Sequence, residues 1–353
     1  MSTSEHGVHL RRSAPNTAAV AALGGRSAGP GGLAGVLADL NRHGVPARPP
    51  GLLVDHGFGW NEQDASSPRW WPQGITTSAD AADDGLVDGR RLAITSWYSH
   101  VVDGSNHGSR ITVVDLDTLA YRHVLLVTPR LVDAKVHLDP LLVHAGGIVW
   151  HGPHLFVAGT RRGLVTCRLE DITRVEPGPD TFDHRYVLPV RFSYDAVSDH
   201  GTEQLRYSFL SLDRRSDPPC LVAGEYAAGD MTQRLVRYRF DPTTSSLHET
   251  GDGTAFPLDL DRRGVGHMQG AAVVDGTYYV TSSRGRWRLG SVFVGTPGDF
   301  RELEHAVPNG PEDLSYDPSE DAFWSLSEYP GRRYVFRFAR PPARPATRPA
   351  SAV

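Results

Sequence analysis

Apolar and polar residues alternate in short runs along most of this chain, and Gly, Pro, Asp and Asn punctuate the runs. A period of two is the mark of a strand with one face buried, whereas a helix repeats its apolar face every 3.6 residues. The alternation is clearest at Ile111 to Asp115, Leu164 to Leu169, Leu235 to Phe240, Ser291 to Val294 and Tyr334 to Phe338. Each of these segments stands third in a recurring unit. Its first strands begin near Trp71, His144, Arg206, His267 and Gly310, and its second strands are Leu92 to Tyr98, Leu155 to Thr160, Leu221 to Tyr226, Tyr278 to Ser283 and Phe323 to Glu328. Taking Gly74, Gly147, Ser208, Gly270 and Asp313 as equivalent gives intervals of 73, 61, 62 and 43 residues, the size of a propeller blade with variable loops.

Outer fourth strands follow in the first four units, for example His123 to Val127 and Arg185 to Val190, but not in the fifth. A strand at Leu52 to Asp55 supplies the missing one if the two ends of the chain pair, which leaves no open sheet edge. The expected fold is therefore all-β, a five-bladed β-propeller over residues 51–340, with six blades as the alternative. Residues 1–30, rich in Gly, Ala and Ser, read as a disordered extension or a degenerate export signal. Leu33, Val36, Leu37 and Leu40 predict a short helix within a 31–50 linker, and residues 341–353 read as a disordered tail.

The chain has 353 residues and a formal net charge of −5, with no long basic run, so neither nucleic acid nor an anionic membrane is the expected partner. No apolar stretch is long enough to span a bilayer. Lys135 is the one lysine, which leaves almost no place for Schiff-base chemistry or a phosphate-binding lysine loop. Cys167 and Cys220 fall in apolar strands and read as buried thiols. Gly25 to Gly29 matches G-x-S-x-G, but it lacks the strand and helix that a nucleophile elbow requires.

In a propeller, the loops entering the first strands and leaving the second strands share one face. The repeat alignment therefore brings Trp71, Gln73, His144, Tyr207, His267, Gln269 and Glu312 together with Tyr98, Arg161, Glu225, Ser283 and Glu328. His144 and His267 stand at the same repeat position and are the expected acid and base, with Glu312 orienting one of them. Gln73 or Gln269 is expected to hold a carbonyl oxygen, and Trp71, Tyr98, Arg161, Tyr207, Glu225 and Glu328 to contact substrate. No redox cofactor and no metal are expected, although two histidines and a glutamate leave a divalent ion in the channel as an alternative. His151 and His154 flank the far turn of the same strand, ~20 Å from His144 at ~3.3 Å per residue, and cannot share one ion with it.

The stretches Trp71 to Thr76, Gly147 to Gly152, Leu221 to Tyr226 and Gln269 to Ala271 resemble an actinobacterial propeller family usually labelled secreted or hypothetical. That resemblance covers most of residues 51–340 and implies the fold but no reaction. More distantly, the architecture is similar to propellers used for lyase, lactonase and cyclisation chemistry in small-molecule, antibiotic-type biosynthesis. The expected function is a cofactor-independent cyclase, lyase or isomerase acting on an apolar or aromatic small molecule. The alternative is a non-catalytic propeller that holds a ligand or partner. A cytoplasmic location is expected, with export through a weak twin-arginine-like signal at Leu10 to Ser13 as the alternative.

Overall fold

The structure, a computed structural model, describes residues 5–343, so most of the tail at 341–353 lies outside the described residues. Among the described residues, strand pairing gives four sheets, and their antiparallel ladders sort into five units, the first two of which are joined by a parallel pairing of Val187 to Pro189 with Leu125 to Val127. Blade one comprises Trp70–Thr77, Leu92–Ser99, Ser109–Asp115 and Ala120–Val132. Blade two comprises Ile148–His151, His154–Ala158, Gly163–Arg168 and Tyr186–Ser198. Blade three is Phe209–Asp213, Cys220–Gly224, Leu235–Arg239 and Asp259–Asp261, and blade four is Met268–Val274, Thr277–Ser282, Gly290–Thr296 and Asp299–Val307. Blade five pairs Pro311–Asp317, Ala322–Ser327 and Tyr334–Ala339 with Val54–Gly59 from the start of the chain. The architecture is a β-propeller whose last blade is completed by a strand from the early part of the chain. The closing strand starts two residues later than the pattern indicated, with Val54 opposite Phe338 and Gly59 opposite Tyr334.

The apolar side chains form five clusters, each lying between two neighbouring blades. Ile94, Ile111, Ile148 and Val157 fill the gap between blades one and two, and Phe156, Leu210, Leu221 and Tyr238 the gap between two and three. Phe209, Val222, Ala271 and Val280 seal three against four, and Ala272, Tyr279, Leu314 and Phe323 seal four against five. Phe58, Trp97, Trp324 and Leu326 join blade five to blade one. Strands with both faces covered read as nearly continuous apolar runs, which explains why the second strands are less alternating than the third.

The repeat alignment has a steric cause. At Gly147 an added Cβ would stand 2.0 Å from the backbone N of Leu210, and at Gly270 it would stand 2.7 Å from Cα of Asp313. These are the points where neighbouring first strands come closest, so a side chain is excluded there.

Residues 5–30 are not an unpacked extension. Val8–Arg12 forms a strand along Tyr186–Ser198, with Leu10 opposite Ala196, and Thr17–Gly24 forms a helix that buries Ala19, Val20 and Leu23. Only Val8 and Leu10 carry the strand's apolar pattern, and its partner is nearly 190 residues downstream, so no local signal marks it. The helix expected from Leu33, Val36, Leu37 and Leu40 ends before Leu40, spanning Gly32–Leu37, and the chain then adds short strands at Arg42–His43 and Val45–Ala47 to blades one and five.

Because Leu10 is fully buried among Phe156, Phe192 and Tyr194, Leu10→Ala should lower the unfolding free energy by about 3 kcal/mol. Urea denaturation would show this as a lower midpoint at unchanged slope, and an unchanged midpoint would mean that the N-terminal strand does not dock.

Candidate functional site

A cavity of about 890 Å³ opens on one face of the ring, and all five blades line it. Blade one contributes Gln73, blade two His144 and Thr160, and blade three Arg206, Ser208 and Tyr226. Blade four contributes His267, Gln269, Ser283 and Arg284, and blade five Glu312, Glu328 and Tyr329. The wall is built from residues entering the first strands and leaving the second strands, as the repeat alignment required. Of the residues singled out from sequence, Gln73, His144, His267, Gln269, Ser283, Glu312 and Glu328 meet there.

Two carboxyls dominate the chemistry of this wall. Gln269 donates from Nε2 to Glu312 Oε1 at 2.9 Å, and Gln73 donates from Nε2 to Glu328 Oε2 at 3.3 Å and to the Pro72 carbonyl at 2.9 Å. The two glutamines occupy the same repeat position, so the pair of carboxyls is held by a repeated device. Burial, then Glu328, then Asp313 raise the pKa of Glu312 well above the usual carboxylate range. Burial also raises Glu328, against opposing hydrogen bonds from Tyr329 and Gln73 and the charge of Arg333. Two carboxyls that share a partly dry site tend to keep a proton between them. Arg333 fixes the frame by donating to the carbonyls of Glu328 at 2.7 Å, Asp64 at 2.8 Å and Ser67 at 2.9 Å.

His144 is reached from the cavity and packs its ring 4.3 Å from that of Tyr98, whose hydroxyl bonds His100 Nε2 at 2.8 Å. Enclosure by the cavity walls, and then His100, lower the His144 pKa. His267 lies at the rim, with Nδ1 3.2 Å from the Tyr226 hydroxyl. No hydrogen bond joins Glu312 to either imidazole among the described residues, so Glu312 does not orient a histidine. Nor do the glutamines both offer free amides, since both Gln73 N–H groups are engaged.

The remaining candidates separate for clear physical reasons. Tyr98 and Arg161 line a neighbouring hollow of about 620 Å³ that shares His144 and Thr160 with the main cavity. Trp71 lies outside the cavity wall and packs on His100 and Tyr329. Tyr207 is buried and bonds the Tyr238 hydroxyl at 2.7 Å. Glu225 is fully buried, with Oε1 accepting from Arg234 at 2.7 Å and from the Arg206 amide at 3.0 Å. Tyr207 and Glu225 are therefore engaged inside the fold and do not line the cavity. Sequence reasoning missed Tyr226 and Tyr329, which stand one residue beyond the aligned second-strand ends, and Arg284 and Arg288 in the basic run Arg284 to Arg288.

Among the described residues, no group of three or more His, Cys, Asp and Glu is arranged to hold a metal ion. His144, His267 and a glutamate do not converge as ligands. His151 and His154 pack instead on Phe240 and Phe192.

Two further carboxyls, Asp313 and Asp80, are buried beside the first strands. Asp313 follows Glu312, and Asp80 accepts from Thr76 Oγ1 at 2.6 Å and Ser315 Oγ at 2.9 Å. No known protein family matches the chain, and no curated protein does. Among solved structures, a GH43_1 enzyme from Xanthomonas citri aligns at TM-score 0.40 and 9% identity over 91% of this chain and 92% of that one. A gluconolactonase from Xanthomonas campestris aligns at TM-score 0.37 and 13% identity, covering 89% and 90%. The GH43 β-xylosidase/α-arabinofuranosidase CoXyl43, from a compost microbial metagenome, aligns at 0.40 and 10%, covering 83% and 94%. Likeness at this level concerns architecture alone. It does not bear on the actinobacterial family label or on any activity.

Burial pushes Asp80 from 3.8 up to about 6. A raised carboxyl pKa means that the folded state binds the proton more tightly than the unfolded chain. Its stabilising effect is complete below the unfolded value and is lost as pH rises through about 6. Asp80→Asn should therefore flatten the fall in melting temperature between pH 4 and 6, a change worth up to ~3 kcal/mol in the wild type. An unaltered pH profile in the variant would show that another group is responsible.

Proposed function

We propose that the chain is a small-molecule enzyme that moves protons within the channel cavity and promotes a cyclisation, elimination or isomerisation. The observation that carries this reading is the Glu312–Glu328 pair, two carboxyls on one cavity wall with raised pKa values, each held by a glutamine from the same repeat position. The more deeply buried Glu312 serves as the acid and gives its proton to a substrate oxygen. Glu328, half-buried and less strongly perturbed, takes a proton from substrate carbon or oxygen as the base. The proton lost by one carboxyl and gained by the other leaves the net charge of the pair unchanged. Transfer between them, directly or through water, restores the starting state.

The carboxyl pair thus takes the acid–base role that the two imidazoles were expected to play. His144, neutral at ordinary pH because its pKa is lowered, offers a ring nitrogen for orienting a substrate hydroxyl or carbonyl. No step in this scheme calls on a redox cofactor. The competing reading is a propeller that holds its ligand unchanged, and the wide mouth with exposed Met231 favours it.

The test is a screen of apolar and aromatic metabolites, chromatographing products of unchanged mass or of mass lowered by an eliminated fragment. For a compound that is converted, Glu312→Gln and Glu328→Gln should each lower kcat by ~10²–10⁴-fold while the melting curve stays cooperative. Parental rates in both variants would refute the carboxyl assignment. A ligand bound tightly by the wild type and recovered unchanged would decide for the binding reading.

A further inference from the structure

One side of the cavity mouth is a loop, residues 283–289, between the second and third strands of blade four. Arg284 and Arg288 reach the cavity wall from it, and Trp287 projects with 75% of its surface exposed. Arg284 is committed to Glu302, whose Oε1 also accepts from Ser291 at 2.6 Å. The other cations here are different. Arg286, Arg288 and Arg332 have no carboxylate partner among the described residues. Arg332 donates to the Arg286 carbonyl at 2.9 Å and lies 4.8 Å over the Trp287 ring, while Arg286 stands 5.5 Å from Trp287 and 6.0 Å from Tyr329.

Two guanidiniums, Arg286 and Arg332, flank one exposed indole and repel one another, Arg288 stands on the cavity wall one residue beyond it, and the indole leaves apolar surface in water. Elsewhere in this chain arginines are commonly neutralised, as Arg237 is by Asp213 and Asp259, and Arg191 by Asp171. This unneutralised group adjoins the cavity, with Arg288 on its wall and Arg286 beside the lining residue Tyr329. Burial raises the proton affinity of both carboxyls of the Glu312–Glu328 pair, which weakens the negative field that an incoming anion meets. Met231 and Tyr226 supply apolar surface to the cavity lining.

We propose that Arg286, Arg288 and Arg332, with Trp287, bind the oxyanion of the ligand that enters the cavity, an organic acid whose apolar body rests against Tyr226, Met231 and Tyr329. This rests on the cavity being a small-molecule site, as the proposed function holds, but it does not require catalysis. Guanidinium forks pair with carboxylate or phosphate oxygens in two-point contacts, and stacking on an aromatic ring holds the fork in place.

The test is calorimetric titration of the full chain with benzoate and phenyl phosphate against phenol, at low and high salt. The wild type should bind at least one of the two anions about tenfold more tightly than phenol, and salt should erode that advantage. The more tightly bound anion identifies the carboxylate or the phosphate source. Arg286→Gln/Arg288→Gln/Arg332→Gln should abolish the preference while leaving phenol binding in place, and Trp287→Phe should remove the fluorescence quenching that the anion causes. If the triple variant unfolds, Arg288→Gln alone should still weaken anion binding several-fold.

No anion preference in the wild type, or the same preference in the variants, would overturn the proposal. If the preference persists in Glu312→Gln but no compound is ever converted, the enzymatic reading fails and the anion site stands.

Discussion

The geometry of the whole ring turns on how closely the five first strands can approach one another, and Asp313 stands at one of those close approaches. Its Cα packs against Gly270 of blade four, and its Oδ2 accepts the backbone N–H of Ile75 from blade one at 3.3 Å and of Ile148 from blade two at 3.1 Å. One carboxyl thus satisfies backbone donors of two other blades, donors that have no ladder partner at the channel. An unpaired buried N–H costs free energy comparable to a lost hydrogen bond. Asp313 is fully buried, and that burial raises its pKa well above the usual range despite the donors. The ring is closed at the expense of an acid that is costly to ionise.

This arrangement determines where chemistry can sit. Side chains on the fifth first strand, Pro311–Asp317, are buried on both faces, because one face meets the neighbouring blade and the other meets the channel. Glu312 is therefore carried into the cavity by the same strand that places Asp313 in the joint and Ser315 beside Asp80. Each of these acids lies near the next, and Glu328 raises Glu312, which in turn sits beside Asp313. Burial among the packed blades raises both the structural acid Asp313 and its cavity-facing neighbour Glu312. Stability and proton affinity are coupled here through a single strand.

Much of this was legible in the sequence because it repeats. The five aligned positions, Gly74, Gly147, Ser208, Gly270 and Asp313, mark the close approach of neighbouring first strands, and the offset of one residue picks out Gln73, Gln269 and Glu312 on the cavity wall. What the repeat could not show is where an individual side chain departs from it. Glu225 aligns with Glu328, yet Arg234 captures it, because Arg234 enters the third strand of the same blade and lies within a hydrogen bond of both oxygens. Tyr207 turns into the gap between blades two and three. The strand at Val8–Arg12 was hidden for another reason. Its pairing is entirely non-local, and five residues carry too little pattern to reveal a partner so far along the chain.

The two ends of the chain illustrate how local pattern and topology divide the work. Val54–Gly59 could be placed from the missing outer strand of blade five, since a propeller with an open edge would expose unpaired backbone groups to other chains. Arg337 then reaches across that join to Asp55, and to Glu320 at 2.7 Å, adding charge pairs to the ladder. No such argument existed for Val8–Arg12, which extends a blade whose four strands were already complete. Closure is a requirement of the architecture, and it could be inferred from what was absent. The additional strand is an elaboration of this chain, and only its burial against Phe156, Phe192 and Tyr194 accounts for it.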